Sequence, residues 1–245
     1  LTKLKLGRVT SIFCNSKFTK SYIDKTFHVN SKILYPPVDL YPKKAQKENI
    51  IHHVGRFRVK DITIGGVAIG DYKKQGLMVD VFKEMVESGL SDWRFVLGVS
   101  VQEDDKEAFA RLQKSAQRFP IEFIVNQNNK RLWEVYNRAK IYWHASGYSE
   151  NLEKHPEYAE HFGISTVEAM GAGVVPVVID AGGQRETVDD GKNGFLWNTI
   201  AELKEKTIKL IEDRKLRDRM GAEASKKAQD FGKKRFCKEL ESLVG

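Results

Sequence analysis

Short apolar segments alternate with amphipathic segments along most of the chain after residue 48. Five of the apolar segments are rich in β-branched and aromatic residues on both faces, which predicts strands buried in a parallel sheet. These predicted strands span residues 49–55, 93–99, 121–125, 140–146 and 174–180. Between them, apolar residues recur at helical spacing, which predicts helices over 74–88, 103–118, 129–138 and 164–172. The alternation predicts right-handed βαβ crossovers and an α/β fold with a doubly wound parallel sheet.

The two ends of the chain have a different pattern. At the carboxyl end, three helices without an intervening strand are predicted on the outside of the sheet, at about 200–212, 214–230 and 232–243. At the amino end, the pattern predicts one short strand, one helix and one extended run, at 11–14, 16–27 and 31–40. The extended run contains Pro36 and Pro37, which disfavour a helical path.

One strand and one helix cannot bury a core of their own. We therefore expect residues 1–30 to be the remnant of a separate amino-terminal domain, residues 31–48 to be a linker, and residues 49–245 to form the main domain. Because the first residue is leucine rather than methionine, the chain is also expected to be a processed product or an excised segment.

Composition narrows the class of protein. With 41% hydrophobic and 30% charged residues, the chain of 245 residues has the composition of an ordinary soluble globule. No run approaches the ~20 apolar residues of a membrane span, and no leader resembles a signal peptide, so a cytoplasmic location is expected. Two distant cysteines, Cys14 and Cys237, predict free thiols in a reducing compartment.

The net charge of +8 is compatible with phosphate-bearing ligands or with peripheral contact at an anionic membrane. However, the lysines and arginines are interleaved with acidic residues on amphipathic helices such as 201–219. This pattern is more typical of solvated helix faces, and it gives no support for nucleic-acid binding.

Candidate chemistry is expected where parallel strands end, because open α/β sheets bind ligands at that edge. Arg56 follows the first predicted strand, Lys73 opens the next helix, and their charges could meet a diphosphate there. Lys74 and Lys60 are alternatives to Lys73. Residues 56–73 are longer than an ordinary strand-to-helix turn, so they predict a surface excursion or a flap over the site.

The segment EHFGISTVEAMGAGVVPVV, residues 160–178, has two interpretations. Gly163, Ile164 and Ser165 would open a helix whose free N–H groups suit a phosphate, and Glu168 could accept hydrogen bonds from a ribose diol. Taken alone, however, the S-x-x-E spacing of Ser165 and Glu168 favours a capping box. Glu160 has no structural role that the sequence reveals.

Other signals are weaker or missing. His144 and His161 border the same region and could act as a proton donor, pack in the core or position a substrate. The chain has no G-x-G-x-x-G after the first strand and no P-loop, so dinucleotide-binding and P-loop hypotheses lose their main support. No ligand cluster for a metal is present in the sequence, and neither a metal nor a cofactor is expected.

An ordered set of motifs resembles the nucleotide-sugar-binding half of a retaining GT-B glycosyltransferase of family 4, over about residues 9–243. These motifs are ILYPPVDL, HHVGRF, KKQGLMVDVFKEM, AKIYWHASGYSE, EHFGISTVEAMGAGVVPVV and AGGQRETVDDGKNGFLW. The resemblance implies a Rossmann-like doubly wound parallel sheet that forms one half of a GT-B fold. It also implies transfer of a sugar from a UDP-, GDP- or ADP-sugar to an acceptor hydroxyl without a metal.

The resemblance implies specific roles for matching residues. Glu160 and Glu168 match the E-x7-E pair, of which the first would lie beside the donor sugar and the second would bind the ribose. Arg56 and Lys73 would neutralise the departing diphosphate, a charge-stabilising role. The backbone around Phe162, Gly163, Ile164 and Ser165 would contact the sugar and diphosphate, and residues near Val125 and Asn126 would contact the base.

The sequence also departs from the family pattern. The excursion at 58–72 and the loop at 147–159 are unusually long, and His161 stands where a small residue is common. The acceptor domain, which would bind a glycan or a lipid-linked glycan, is missing, so the isolated chain is expected to bind nucleotide but to transfer sugar poorly. A non-catalytic nucleotide-sugar-binding or scaffold module is the alternative. A phosphorylase or an epimerase of this architecture fits the motifs less well.

Overall fold

The computed structural model describes residues 9–58, 62–64, 67–69 and 73–244. Its centre is a six-stranded sheet made of β3 (Ile50–Phe57), β6 (Arg94–Val101), β7 (Ile121–Val125), β8 (Ile141–His144), β9 (Val175–Ile179) and β10 (Phe195–Trp197). Every neighbouring pair is parallel, and the spatial order is β10-β9-β8-β3-β6-β7. The predicted α/β fold with a doubly wound parallel sheet is confirmed.

The strand order locates the ligand-binding edge. Counted within the sheet, the order reads 3-2-1-4-5-6, so the chain leaves β3 toward one edge and returns at β8 toward the other edge. The connections diverge between β3 and β8, and a crevice opens there at the carboxyl ends of the strands. Any ligand site of this sheet is therefore expected beside Gly55 and His144, at the ends of these two strands.

Helices cover both faces of the sheet. They are α1 (Lys17–Phe27), α2 (Gln75–Glu87), α3 (Lys106–Ala116), α4 (Asn129–Arg138), α5 (Ile164–Gly171), α6 (Gln184–Thr187), α7 (Ile200–Glu212), α8 (Arg214–Ala228) and α9 (Lys233–Val244). Both α4 and α7 have the bounds that the sequence predicted. In the part of the chain that the structure describes, no helix combines the length and the hydrophobicity needed to cross a bilayer.

Alternating side chains build two cores, one on each face of the sheet. Along β8, Ile141 and Trp143 pack with the cluster under α2 and α7, whereas Tyr142 packs with the cluster under α4 and α5. Because successive side chains of a strand point to opposite faces, a strand that is apolar at every position must be covered on both sides. The continuous apolar runs in the sequence have this cause.

The strand β10 was missing from the sequence interpretation. Its three residues pair with β9 in the register Phe195–Val177, Leu196–Val178 and Trp197–Ile179. A strand this short leaves too few positions for a periodicity to be recognised. In addition, β3 continues two residues beyond the predicted end, because Arg56 and Phe57 still pair with Ser100 and Val101 of β6.

The amino-terminal segment forms a small unit beside the main sheet. Strands β1 (Phe13–Cys14) and β2 (Lys32–Ile33) pair in parallel, and α1 lies between them in sequence. The helix begins at Lys17 because the Ser16 side chain accepts a hydrogen bond from the Thr19 N–H. The assignment of residues 1–30 to a separate domain stays a prediction. Both Cys14 and Cys237 are free thiols.

The long excursion after β3 contains an antiparallel pair of strands, β4 (Ile62–Ile64) and β5 (Val67–Ile69). The sequence interpretation left this hairpin out. Residues 59–61, 65–66 and 70–72 lie outside the described residues, and Lys60 is among them. The alternative that the excursion is a flap over the site stays a prediction.

Candidate functional site

A cleft of about 810 Å³ opens at the predicted edge of the sheet. It lies between the end of β3, the residues before α2 and the loop that leads into α5. Its lining includes Arg56, Arg58, Lys73, Glu157, Glu160, His161, Phe162, Gly163, Ile164, Ser165 and Glu168. A second cleft of about 430 Å³ continues from it along the ends of β6 and β7, and the two share Val54, Gly55 and Arg56. Of the ten predicted site residues, nine line these two clefts, and Val125 does not.

Glu160 is held by two donors. The Lys73 Nζ lies 2.5 Å from the Glu160 Oε2, and the His144 Nε2 lies 3.1 Å from the same oxygen. Burial would by itself raise the pKa of Glu160, but the positive charge of Lys73 and the hydrogen bond to His144 outweigh it and lower the pKa. Glu160 is therefore a carboxylate at any physiological pH. Lys74 contacts Glu150 instead, so the geometry favours Lys73 over Lys74 in the cleft.

Two glycines after β9 hold the loop that carries Glu160. The Gly183 N–H donates to the Glu160 carbonyl at 2.7 Å. A Cβ on Gly183 would lie 2.3 Å from the His161 carbonyl oxygen, and one on Gly182 would lie 2.3 Å from the Glu160 carbonyl oxygen. The absence of a side chain at these two positions thus admits a neighbouring loop of the same chain.

The helix α5 begins at the cleft. Gly163 precedes it with a φ of 99°, a left-handed conformation that suits glycine, and contributes no side-chain cap. The first N–H groups of α5, at Ile164 and Ser165, have no acceptor within the helix and lie at its positive end. Phe162 is buried and packs on Tyr35 and Phe231, which fixes the direction of the chain into the helix.

The predicted capping box is wrong. The residue that precedes α5 is Gly163, and both members of the proposed box bond elsewhere. Ser165 Oγ accepts a hydrogen bond from the Tyr142 hydroxyl at 2.7 Å, and Glu168 Oε2 accepts one from the Tyr136 hydroxyl at 3.1 Å. The helix starts two residues earlier than the box requires. Ile164, the first residue of the helix, is 48% exposed.

Glu168 lies in a less polar environment than Glu160. Burial raises its pKa to about 7, the Tyr136 hydroxyl opposes this shift, and the charge of Asp39 adds to it. Because Glu168 takes no part in a cap, its carboxylate is available to the cleft, which Glu168 lines one turn into α5. It is in a position to accept hydrogen bonds from hydroxyl groups of a ligand.

Arg56 and Arg58 both line the cleft at the end of β3. Arg56 is exposed, and the intervening Phe57 is buried in the core. Arg58 donates to the Gln102 Oε1 at 2.7 Å. The sequence interpretation missed Arg58, although the alternation R-F-R at the end of a buried strand was a usable signal.

Asn126 lines the second cleft, and Val125 precedes it in the chain without lining either cleft. The Val125 side chain packs against the core. The Asn126 side chain is engaged at both ends, because its Oδ1 accepts from the Val101 N–H at 2.9 Å and its Nδ2 donates to the Val101 carbonyl at 3.1 Å. The contact with a base that was predicted for these residues would therefore fall to main-chain groups.

Several supporting residues carry no signal in the sequence. His53 Nδ1 bonds to the Trp143 carbonyl at 2.9 Å, and Gln75 Nε2 donates to the Arg56 carbonyl at 3.1 Å. Gln184 Nε2 donates to the Thr166 hydroxyl at 3.0 Å beneath Gly163. All three side chains are fully buried, and each joins elements that are far apart in sequence. His161, by contrast, is exposed, with its ring 6.1 Å from that of Phe18.

The chain is similar to two mannosyltransferases over nearly its full length. It is 23% identical to the alpha-1,3/1,6-mannosyltransferase ALG2 of Dictyostelium discoideum, over 97% of this chain and 61% of that protein. It is 25% identical to a GDP-Man:Man(3)GlcNAc(2)-PP-Dol alpha-1,2-mannosyltransferase of Neurospora crassa, over 100% of this chain and 47% of that protein. The chain thus spans about half the length of these relatives.

Solved structures show the same fold. The chain superposes on Anabaena Alr3699/HepE in complex with UDP and glucose with a TM-score of 0.76 at 18% identity, covering 100% of this chain and 67% of that one. It also superposes on the carboxyl-terminal domain of a group 1 glycosyl transferase (LpcC) from Francisella tularensis with a TM-score of 0.60 at 18% identity, covering 78% and 94%. The Rossmann-like half of a GT-B fold is thereby confirmed. The model of the family "Glycosyl transferases group 1" matches residues 42–227, and the chain belongs to this family.

Proposed function

We propose that this chain binds the nucleoside-diphosphate sugar donor of a retaining glycosyltransferase in the cleft at the end of β3. The observation that carries the proposal is the pairing of Glu160 with Lys73, at 2.5 Å, in a cleft that the amino end of α5 also lines. A diphosphate would find cations on one side and N–H groups on the other. This arrangement supports charge stabilisation more than proton transfer.

The donor is proposed to lie across both clefts. The base would meet the main chain near Val125 and Asn126, and the ribose hydroxyls would donate to Glu168. The diphosphate would lie between Arg56, Lys73 and the first turn of α5, and the sugar would reach Glu160. Each role uses a group that lines the clefts or, for Val125, the adjoining backbone.

The proposed reaction breaks the bond between the anomeric carbon and the phosphate oxygen. The departing nucleoside diphosphate takes the electron pair, and Arg56 and Lys73 stabilise its charge. The acceptor hydroxyl attacks from the same face and gives its proton to the leaving phosphate. These side chains would serve in place of a metal ion, so chelation with EDTA is expected to leave nucleotide binding unchanged.

The relatives suggest which donors to test first. Those named above include one with GDP-mannose in its name, and HepE was solved with UDP and glucose. We propose that the acceptor is a glycan or a lipid-linked glycan bound by a region that this chain lacks, because the chain covers 47% of the Neurospora relative. Transfer by the isolated chain is accordingly expected to be weak.

The proposal is tested by thermal unfolding in the presence of UDP, GDP, ADP and their sugars. A ligand at 100 times its dissociation constant should stabilise the chain by about 2.7 kcal/mol. The Glu168→Ala variant should lose most of this gain, whereas the surface variant Arg118→Ala should keep it. A flat response of the wild type to every nucleotide would reject the site.

A further inference from the structure

The side chain of His144 has no exposed surface, yet it reaches the cleft through one contact. His144 ends β8, and its Nε2 lies 3.1 Å from the Glu160 Oε2. Lys73 binds the same carboxylate oxygen at 2.5 Å. Among the described residues, no hydrogen-bond donor to the other oxygen, Oε1, is found. One oxygen of Glu160, a residue that lines the cleft, is therefore used internally, and the other oxygen has no donor from these residues.

The neighbours of His144 determine which ring nitrogen carries the proton. The Ser146 N–H lies 3.4 Å from the Nδ1, and a backbone N–H can only donate, so this nitrogen must be the acceptor. The proton of the neutral ring is then on Nε2, from which it points to Glu160. The Ser146 hydroxyl, 3.5 Å from the Nε2, can accept the same proton more weakly.

The ring stays neutral in this setting. Burial lowers the pKa of His144, and although Glu160 opposes the shift, the nearby charge of Lys73 adds to it. The ring of His53, also buried, lies 6.0 Å away. A neutral imidazole with a fixed tautomer can donate one directed hydrogen bond, but it is not a proton source at neutral pH.

We propose that His144 is a positioning residue, whose Nε2–H fixes the rotamer of Glu160 and directs the Oε1 of that carboxylate toward the donor sugar. This inference rests on the proposed function, since Glu160 is the group that would contact the sugar. It excludes the role of His144 as an acid, which the sequence left open. It also gives the two partners of Glu160 different roles: Lys73 supplies a positive charge, and His144 fixes the orientation of the carboxylate.

Two variants separate positioning from packing. In His144→Gln, the side-chain amide can place a donor near the former Nε2, whereas His144→Leu fills similar space without a donor. Affinities for GDP and GDP-mannose, and for UDP and UDP-glucose, are measured by calorimetry. We expect His144→Leu to lose about tenfold in affinity for the sugar nucleotide and less than twofold for the diphosphate, corresponding to about 1.4 kcal/mol of sugar-specific binding. His144→Gln is expected to recover most of the loss.

Equal losses for the diphosphate and the sugar nucleotide would show a merely structural role and would overturn the proposal. No loss for either would overturn it as well. If the wild type binds neither diphosphate, the proposed function fails, and the tautomer of His144 is still tested independently. Nitrogen-15 spectra of histidine-labelled protein at pH 7, assigned through His144→Gln, should show the neutral Nε2–H form. A proton on Nδ1, or a charged ring, would reject the proposal without any ligand.

Discussion

Glu160 and Glu168 are separated by seven residues and line the same cleft, but their surroundings differ. Glu160 shares one oxygen between a lysine and a buried histidine, and its pKa is lowered. Among the described residues, the neutral hydroxyl of Tyr136 is the one side-chain donor to Glu168, and burial raises the pKa of Glu168 to about 7. Identical side chains thus have opposite protonation tendencies within one site.

The difference in surroundings determines what each carboxylate can do. A permanently charged Glu160 suits fixed electrostatics beside cations, and it is a poor base because two donors already stabilise its charge. Glu168 changes charge near neutral pH, so hydroxyl donors from a ligand can replace its proton. The difference between the two carboxylates can be tested by substitution, beginning with the change that should cost the most stability.

Replacing Gly183 by alanine should have the largest effect. The new Cβ would meet the main chain of the Glu160 loop, 2.3 Å from the His161 carbonyl oxygen and 2.5 Å from the Phe162 Cα. Because backbone must shift, we expect a loss of about 3 kcal/mol in the free energy of unfolding, together with weaker nucleotide binding. Urea denaturation measures the loss in the free energy of unfolding.

The matched control is Gly232→Ala, where the nearest atom to the new Cβ would be 3.5 Å away and φ is −74°. It should change stability by less than about 0.5 kcal/mol. Equal costs at the two positions would mean that the two loops do not meet as described.

Replacing Lys73 by methionine should raise the pKa of Glu160, so that it resembles that of Glu168. The carboxylate loses its cationic partner, and the free energy of unfolding should fall by about 2 kcal/mol at pH 7. Since the native pKa is lowered, this contribution is present above the ordinary value of 4.5 and is lost as pH falls through the native pKa. Denaturation across pH checks the sign.

Lys74→Met serves as the control, because Lys74 pairs with Glu150. It should cost about 1 kcal/mol or less and leave nucleotide affinity intact. A loss of nucleotide affinity as large as that of Lys73→Met would mean that the assignment of Lys73, rather than Lys74, to the diphosphate is wrong.

Replacing Glu168 by glutamine should reverse the pH dependence of that site. A native pKa of about 7 against an ordinary 4.5 stabilises the fold most below pH 4.5, and this contribution is lost as pH rises through 7. Glu168→Gln should therefore unfold less readily than the wild type at pH 8, by on the order of 1–2 kcal/mol, and about equally at pH 4. Nucleotide binding should weaken at both values. A variant that is less stable at pH 8 would indicate that Glu168 has a structural role after all.

Tyr136→Phe is the smallest change. It removes one hydroxyl donor to Glu168, at 3.1 Å, and leaves the ring in place. We expect about 1 kcal/mol of lost stability at pH 8 and a further rise in the pKa of Glu168. The midpoint of the pH dependence of nucleotide binding should shift upward with it. An unchanged midpoint would remove Tyr136 from the site.

The repeating pattern of the sequence predicted most of the fold. Long apolar runs and helical spacing identified five of the six strands of the main sheet, and α4 and α7 were predicted to the residue. The strand β10 was not predicted because three residues are too few to show a period. The hairpin of β4 and β5 was treated as an irregular excursion. The site residues came from the family resemblance and from the rule that ligands bind where parallel strands end.

Local spacing failed where tertiary contacts compete for the same groups. Ser165 and Glu168 have the spacing of a capping box, but Tyr142 and Tyr136 take their oxygens, and Gly163 begins the helix instead. No pattern near residue 168 announces a tyrosine that lies 32 positions earlier in the chain.

The sequence by itself determined which segments are strands and helices, because burial on one or both faces imposes a period that can be read locally. It also determined that two glutamates, an arginine and a lysine reach one edge of the sheet. Only the tertiary structure decided which oxygen of Glu160 is occupied, which lysine reaches it and which glutamate titrates near pH 7. These properties depend on distances between groups far apart in the chain, and on the burial of charge that the assembled fold alone creates.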